Sequence, residues 1–141
     1  MKTNKYSFLG TLQDFIESYL PLEKGCSEKT VESYKTTYRL LLDYLYNQKN
    51  LSADQVTFEK LDYGTISGFL DWLQEERKCS ARTRNQRLAA LNSFSKYAMN
   101  INLEATFFRN TLGKIPRKKT PANIMPVFTL EEVQILMAMP N

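Results

Sequence analysis

Two short stretches of the sequence share a pattern of residue types that suits phosphate binding. Each has a serine, a lysine or arginine two positions on, and a threonine directly after it: SEKT at residues 27–30 and SART at residues 80–83. Serine is a favoured N-cap, and a helix start presents unpaired N–H groups and a positive dipole end that attract phosphate. The cation adds charge and the threonine a hydroxyl donor, which makes the candidates Lys29, Thr30, Arg82 and Thr83. Capping alone explains either start taken singly, so the prediction depends on the matched pair.

One turn further along both predicted helices, the side chains are short or carry an amide. Such groups enter a major groove and hydrogen-bond base edges, while phosphate contacts set the position of the protein. The candidates for contact with bases are Ser33, Thr36, Asn85 and Gln86. The alternative is that the polar residues cap and solvate the helix surface. The helical phase of Arg84 and Arg87 places these two arginines nearer the buried side.

Charge is distributed unevenly along the chain, although the net charge is only +4. Residues 1–77 carry 9 basic and 12 acidic side chains, whereas residues 78–119 carry 10 basic and 1 acidic. Such a block is typical of a polyanion-binding surface, or of a solvated face. It ends in Lys114, Arg117, Lys118 and Lys119, which suit either a soluble linker or a segment that follows a DNA backbone and releases its counterions.

Other kinds of chemistry are disfavoured by composition. The chain has no histidine and only two cysteines, Cys26 and Cys79, so a Cys/His zinc site cannot be built and we predict plain thiols, no metal and no cofactor. The commonest general base is also missing, so this chain alone is not predicted to be an enzyme. Its five glycines are scattered, and no small-molecule substrate is predicted. Because no long apolar run or signal-peptide pattern occurs, we expect a cytoplasmic protein with no membrane contact.

Apolar residues recur at helical spacing throughout, and no stretch alternates as a strand would, which predicts an all-α fold. The expected elements are a first helix over 7–20 ended by Pro21, a second capped by Ser27, a capped turn at 52–55, a third helix capped by Asp62, a fourth from Ser80 to about Met99, and a short fifth before Gly113. Gly64 and Gly68 weaken the third helix a little but are expected to permit close packing. The buried faces of the third and fourth helices are Ile66, Phe69, Leu70 and Leu73, and Leu88, Leu91, Phe94 and Ala98.

The stretch GKIPRKKTPANIMP after these helices has the glycine, prolines and cations of an extended linker. Beyond it, Thr129 and Glu132 have capping-box spacing, which predicts one more helix. We therefore expect a helical bundle over residues 1–113, a basic interdomain linker over 114–126, and the start of a second, truncated domain over 127–141.

Five stretches of the sequence, taken in order, resemble the amino-terminal part of tyrosine recombinases, the phage-integrase and Xer-like family. They are SEKTVESYKTTYRLLLDYL, ISGFLDWLQEER, SARTRNQRLAALNSFSKYA, IPRKKTP and FTLEEVQILMAMP. The resemblance implies a SAM-like four-helix core-binding domain whose second and fourth helices face adjacent major grooves, with a basic linker crossing the DNA. By position, the DNA-facing residues are Lys29, Thr30, Ser33 and Thr36, then Arg82, Thr83, Asn85 and Gln86, with Lys114, Arg117, Lys118 and Lys119 in the linker.

The resemblance also implies the partners and the activity. The family's active-site residues belong to a separate catalytic domain and have no counterpart in this chain, so it is expected to bind double-stranded DNA at a recombination core site without cutting it. The full-length protein, of a phage or mobile element, would rejoin DNA through a 3′-phosphotyrosine intermediate and assemble as a tetramer on DNA. Two alternatives remain at this point: a helical protein–protein interaction module with a basic face, and a free-standing DNA-binding regulator.

Overall fold

A computed structural model describes residues 7–119, and these residues are helical with no strand. They form α1 (Phe8–Asp14) running into a π-helix (Phe15–Glu23), α2 (Glu28–Lys49), two 3₁₀ turns (Ala53–Gln55 and Phe58–Lys60), α3 (Tyr63–Glu75), α4 (Ala81–Met99) and α5 (Ala105–Gly113). The all-α prediction is confirmed. Within 7–119, none of these helices combines the length and the apolar character needed to cross a membrane.

The predicted helix starts are confirmed by their capping bonds. Ser27 Oγ accepts the N–H of Thr30 at 3.2 Å, and Ser80 Oγ accepts that of Thr83 at 3.1 Å. The carboxylate of Asp62 caps α3 at 2.9 Å, and this bond holds its pKa below the ordinary value. The turn at 52–55 has both bonds of a capping box. Each cap satisfies an N–H that the helix itself leaves unpaired.

Pro21 does not end the first helix, so that prediction was wrong. The chain continues through Pro21 as a π-helix to Glu23 and turns at Gly25, whose φ is +70°. In an α-helix the proline ring clashes with the carbonyl four residues before it. The wider turn of a π-helix changes that spacing and pairs each carbonyl with an N–H five residues on. Leu20, which directly precedes the proline, is buried in the core.

The core is built largely from aromatic rings around Phe94 of α4. This side chain is fully buried, and its ring centroid lies 5.3 to 6.4 Å from those of Phe8, Phe15, Tyr38, Phe58 and Phe108. Every predicted core residue of α3 and α4 is buried. Because α4 packs at the centre, its orientation relative to the other helices is fixed on several sides.

The predicted close approach is present at Gly68 but not at Gly64, where an added Cβ would meet only Asp62 Oδ1, at 3.9 Å. A Cβ placed at Gly68 would lie 2.6 Å from the hydroxyl oxygen of Tyr44, so the end of the Tyr44 side chain would have to shift to make room for a larger residue. Packing against the bundle also continues past the predicted boundary at residue 113, because Ile115 is only 7% exposed. The rest of the predicted linker, 120–126, and the predicted helix after Thr129 lie outside the described residues.

Candidate nucleic-acid interface

The starts of α2 and α4 have the same local geometry. In each, the capping serine accepts a backbone N–H and donates its own hydroxyl to the threonine three residues on, at 3.1 Å for Ser27 to Thr30 and 3.3 Å for Ser80 to Thr83. Because each threonine oxygen accepts this bond, its own hydroxyl hydrogen remains available to an outside acceptor. Both starts therefore have the capped geometry and the threonine donors on which the phosphate-binding prediction depends.

The two helices are joined side by side by hydrogen bonds between them. The Tyr38 hydroxyl, buried in the core, donates to the carbonyl of Ala90 at 2.8 Å, and burial raises its pKa well above the ordinary value. Nearer the surface, Tyr34 donates to Ser93 Oγ at 3.1 Å, and Arg87 donates to the Ser33 carbonyl at 3.3 Å. These bonds hold the exposed faces of α2 and α4 at one spacing.

Between these faces lies a groove of 420 Å³. Its walls include Ser27, Lys29, Thr30 and Ser33 of α2 and Gln86 and Ala89 of α4. Four of the predicted residues, Lys29, Thr30, Ser33 and Gln86, are thus brought together from two helices. Lys29 and Gln86 are exposed, and within residues 7–119 no hydrogen bond or ion pair engages either side chain.

The remaining predicted residues of these helices differ in accessibility. Arg82 is exposed one turn before Gln86 on the same side of α4, and Thr83 is half-buried. Thr36 is half-buried, and its hydroxyl donates to the carbonyl of Glu32 at 3.0 Å. The donor of Thr36 is therefore already used within α2, whereas Arg82 can reach an external anion.

Asn85 is not placed where the sequence prediction put it. The side chain is 3% exposed, and its amide bonds the backbone of Lys118, donating to the carbonyl at 2.7 Å and accepting the N–H at 2.8 Å. A base edge would have to displace both bonds. The predicted base contact of Asn85 does not fit this geometry, because its helical phase turns it toward the chain that follows α5.

Three of the arginines in the basic block are used inside the bundle. Arg84 is 5% exposed, and its Nη1 lies 2.8 Å from Asp71 Oδ1 and 3.0 Å from Gln74 Oε1. Arg87 joins α4 to α2, and Arg109 donates to Asn92 Oδ1 at 3.0 Å. The inward phase predicted for Arg84 and Arg87 is therefore confirmed, and neither adds to an exposed cationic surface. The four cations of the predicted linker, Lys114, Arg117, Lys118 and Lys119, are all exposed.

Sequence reasoning missed a second polar depression that adjoins this groove at Tyr34. It has a volume of 220 Å³ and is bordered by Lys24, Ser93, Lys96 and Asn100 together with aromatic rings. Lys96 lies ten positions after Gln86, which puts it about 80° around α4 from that residue, so helical phase gives only a weak signal for it. Lys24 lacks such a signal, because its position follows from the unpredicted π-helix.

Cys79 directly precedes the Ser80 cap, as Cys26 precedes the Ser27 cap. It is free, like Cys26, and burial raises its pKa. A raised pKa keeps the thiol protonated at neutral pH and lowers its nucleophilicity. Both cysteines are free thiols, as the sequence predicts.

Residues 12–102 match the phage integrase N-terminal SAM-like domain. The chain belongs to this family. It is 31% identical to the Sinorhizobium fredii protein y4rC, named as an integrase/recombinase, over 99% of this chain and 42% of that protein. It is 28% identical to the tyrosine recombinase XerD of Listeria monocytogenes, over 90% of this chain and 40% of that protein.

The resemblance to tyrosine recombinases is thus confirmed as a family relationship. The chain spans less than half the length of these curated relatives. No solved structure matches it.

Proposed function

We propose that this chain binds double-stranded DNA through the groove between α2 and α4, as the core-binding part of a site-specific tyrosine recombinase or integrase. The observation that carries the proposal is the position of Lys29 and Gln86, which come from two helices, line one groove and have no partner within residues 7–119. The two matched helix starts border this groove. Relatives named as integrases and tyrosine recombinases support the same assignment.

The residues divide into two roles by their position. Lys29 and Arg82, with the threonine hydroxyls of each first turn, bind phosphates at the helix starts, where unpaired N–H groups add to the attraction. Ser33 and Gln86 lie further into the groove and contact base edges. Glutamine suits adenine, to which its amide donates and from which it accepts. The exposed cations of the linker bind further phosphates.

The proposal extends to the longer protein of which such a domain is part. There the domain positions DNA for breakage and rejoining by a separate catalytic domain, and the full-length protein assembles as a tetramer on its core site. Sedimentation of the full-length protein with a duplex that carries the core site tests the assembly, and a complex that never exceeds one protomer per site contradicts it.

A gel-shift titration over a series of salt concentrations tests DNA binding. Two lysines at opposite ends of α2 form a matched pair, because Lys29 and Lys49 are about 30 Å apart along the helix axis. We expect Lys29→Ala to weaken binding and to reduce the salt slope by about 0.9, the value for one lost phosphate contact. Lys49→Ala should change neither.

The double variant Arg82→Ala, Gln86→Ala tests the α4 half of the groove in the same assay. We expect it to bind more weakly than the native chain, with a lower salt slope. An unchanged affinity and slope would show that α4 does not face DNA. If the native chain shifts no duplex even at low salt, the chain does not bind DNA and the protein–protein module becomes the better assignment.

A further inference from the structure

The chain that follows α5 is fastened to the bundle at two points. Ile115 packs into the core, and three residues later Lys118 forms the reciprocal pair of hydrogen bonds with Asn85. Asn85 is 3% exposed, whereas Lys118 is exposed. Both polar groups of one buried side chain are thus used to hold the backbone of one surface residue.

An asparagine is well suited to this contact. Its amide has an acceptor oxygen and a donor nitrogen side by side, which match the N–H and C=O of a single residue in the facing chain. Short polar side chains within a helix usually bond the backbone of their own helix. Asn85 instead bonds a residue 33 positions away, so the contact is tertiary and specific to this arrangement.

The position of Asn85 determines what this contact brings to the groove. It directly precedes Gln86 and lies one turn from Arg82, so the backbone of Lys118 is held at the amino end of α4. The neighbours of Lys118, Arg117 and Lys119, are exposed cations. The pair therefore holds the backbone of this run of three cations against α4, one helical turn from the exposed Arg82.

We propose that Asn85 is a positioning residue that holds the basic segment 117–119 beside the groove before DNA arrives, an inference that rests on the proposed DNA binding. A free segment loses conformational entropy when it is ordered on DNA, and a segment already held avoids that loss at the moment of binding. We expect loss of the pair to weaken binding about tenfold, which corresponds to about 1.4 kcal/mol.

The test measures binding of the 141-residue chain to a short DNA duplex at low salt. Asn85→Leu removes both hydrogen bonds and nearly preserves side-chain size. It is made in the native chain and in a neutral background that carries Arg117→Ala, Lys118→Ala and Lys119→Ala. We expect about a tenfold loss in the native chain and little further loss in the neutral background.

The outcomes separate this inference from the proposed function. Equal losses in both backgrounds would mean that Asn85 contacts DNA directly, and no loss in the native chain would mean that the pair does not position the segment. Either result overturns the inference while DNA binding stands. If the native chain binds no duplex, DNA binding itself fails. Amide hydrogen exchange at Lys118 reports on the pair in every case, and we expect slow exchange that Asn85→Leu abolishes.

A second pair of variants avoids any change inside the bundle. Lys118→Pro and Lys118→Ala remove the same exposed charge, but only proline removes the N–H that Asn85 accepts. We expect the proline variant to bind DNA several-fold more weakly than the alanine variant, at equal unfolding temperature. Equal binding by the two would overturn the inference even if Asn85→Leu does not fold.

Discussion

Arg82 and Arg84 lie two positions apart on α4 and differ in almost every physical respect. Arg82 is exposed, with no side-chain partner within 7–119, whereas Arg84 is 5% exposed and pairs with Asp71 and Gln74 of α3. Substitution of each by methionine removes one charge and keeps most of the side-chain volume. We expect Arg82→Met to affect DNA binding alone and Arg84→Met and Arg84→Ala to affect stability alone.

The size of the effect at Arg84 follows from its surroundings. Hydrogen bonds to charged groups each contribute about 1.5 to 3 kcal/mol, but Asp71 is 52% exposed and water partly replaces the lost partner. Truncation also leaves a cavity, so we expect Arg84→Ala to lower the free energy of unfolding by about 2 kcal/mol. Methionine fills that space and removes the desolvation penalty of the buried guanidinium, including its unpaired Nε, so Arg84→Met should lower it by about 1 kcal/mol or less.

Thermal unfolding and salt-dependent DNA binding, measured on the same variants, test this division. A loss of 1 kcal/mol lowers the unfolding temperature of a domain of this size by about 5 °C, so Arg84→Ala should lower it by about 10 °C. Arg82→Met should leave the unfolding temperature nearly unchanged and reduce the salt slope by about 0.9. A reduced salt slope for folded Arg84→Met, or a large stability loss for Arg82→Met, would refute the assignment of the two arginines.

Three further predictions concern stability. The Asp62 carboxyl group has a lowered pKa, so its cap should stabilise the protein above about pH 4 and lose that contribution as the pH falls below it. Asp62→Asn should therefore reduce the dependence of the free energy of unfolding on pH in the acid range, which unfolding at a series of pH values measures. Tyr38→Phe removes the bond to the Ala90 carbonyl and should lower the free energy of unfolding by about 1 kcal/mol in urea. Gly68→Ala forces a Cβ against Tyr44 and should destabilise in the same assay by about 1 kcal/mol or more, despite the better helix propensity of alanine; a stabilised variant would contradict the close packing.

The helix starts could be predicted because a cap is a local device. Ser27, Ser80 and Asp62 each bond an N–H three residues on, and all the atoms involved lie within four consecutive residues. The buried face of α4 is similarly a matter of helical phase, which also placed Arg84 and Arg87 inward. These features do not depend on knowing how the helices pack.

Two features could not be predicted from local preferences alone. The helix continues through Pro21 because a π-helical segment accommodates the ring, a compensation that the α-helical rule for proline does not contain. Asn85 is drawn away from the groove by the backbone of Lys118, 33 positions later. In both cases a local preference was correct in itself and was overridden in the folded chain.

Exposure and hydrogen-bond partners together separate the polar residues of α4 that are free to meet DNA from those that are not. The first two turns contain arginines and amides in nearly equal numbers on the buried and exposed sides, so residue type alone cannot separate them. Burial of a polar side chain is costly where partners do not satisfy it. Within residues 7–119 the Nε of Arg84 and that of Arg87 stay unpaired, yet Arg84, Asn85 and Arg87 each have hydrogen-bond partners inside the bundle. Arg82 and Gln86 have none within residues 7–119 and are exposed.

An exposed, unpartnered donor beside a cationic groove gains most from a polyanion, because binding DNA breaks no bond within the protein. We therefore expect the contribution of α4 to DNA binding to come from Arg82 and Gln86, and we expect Asn85 to act through the segment that it holds.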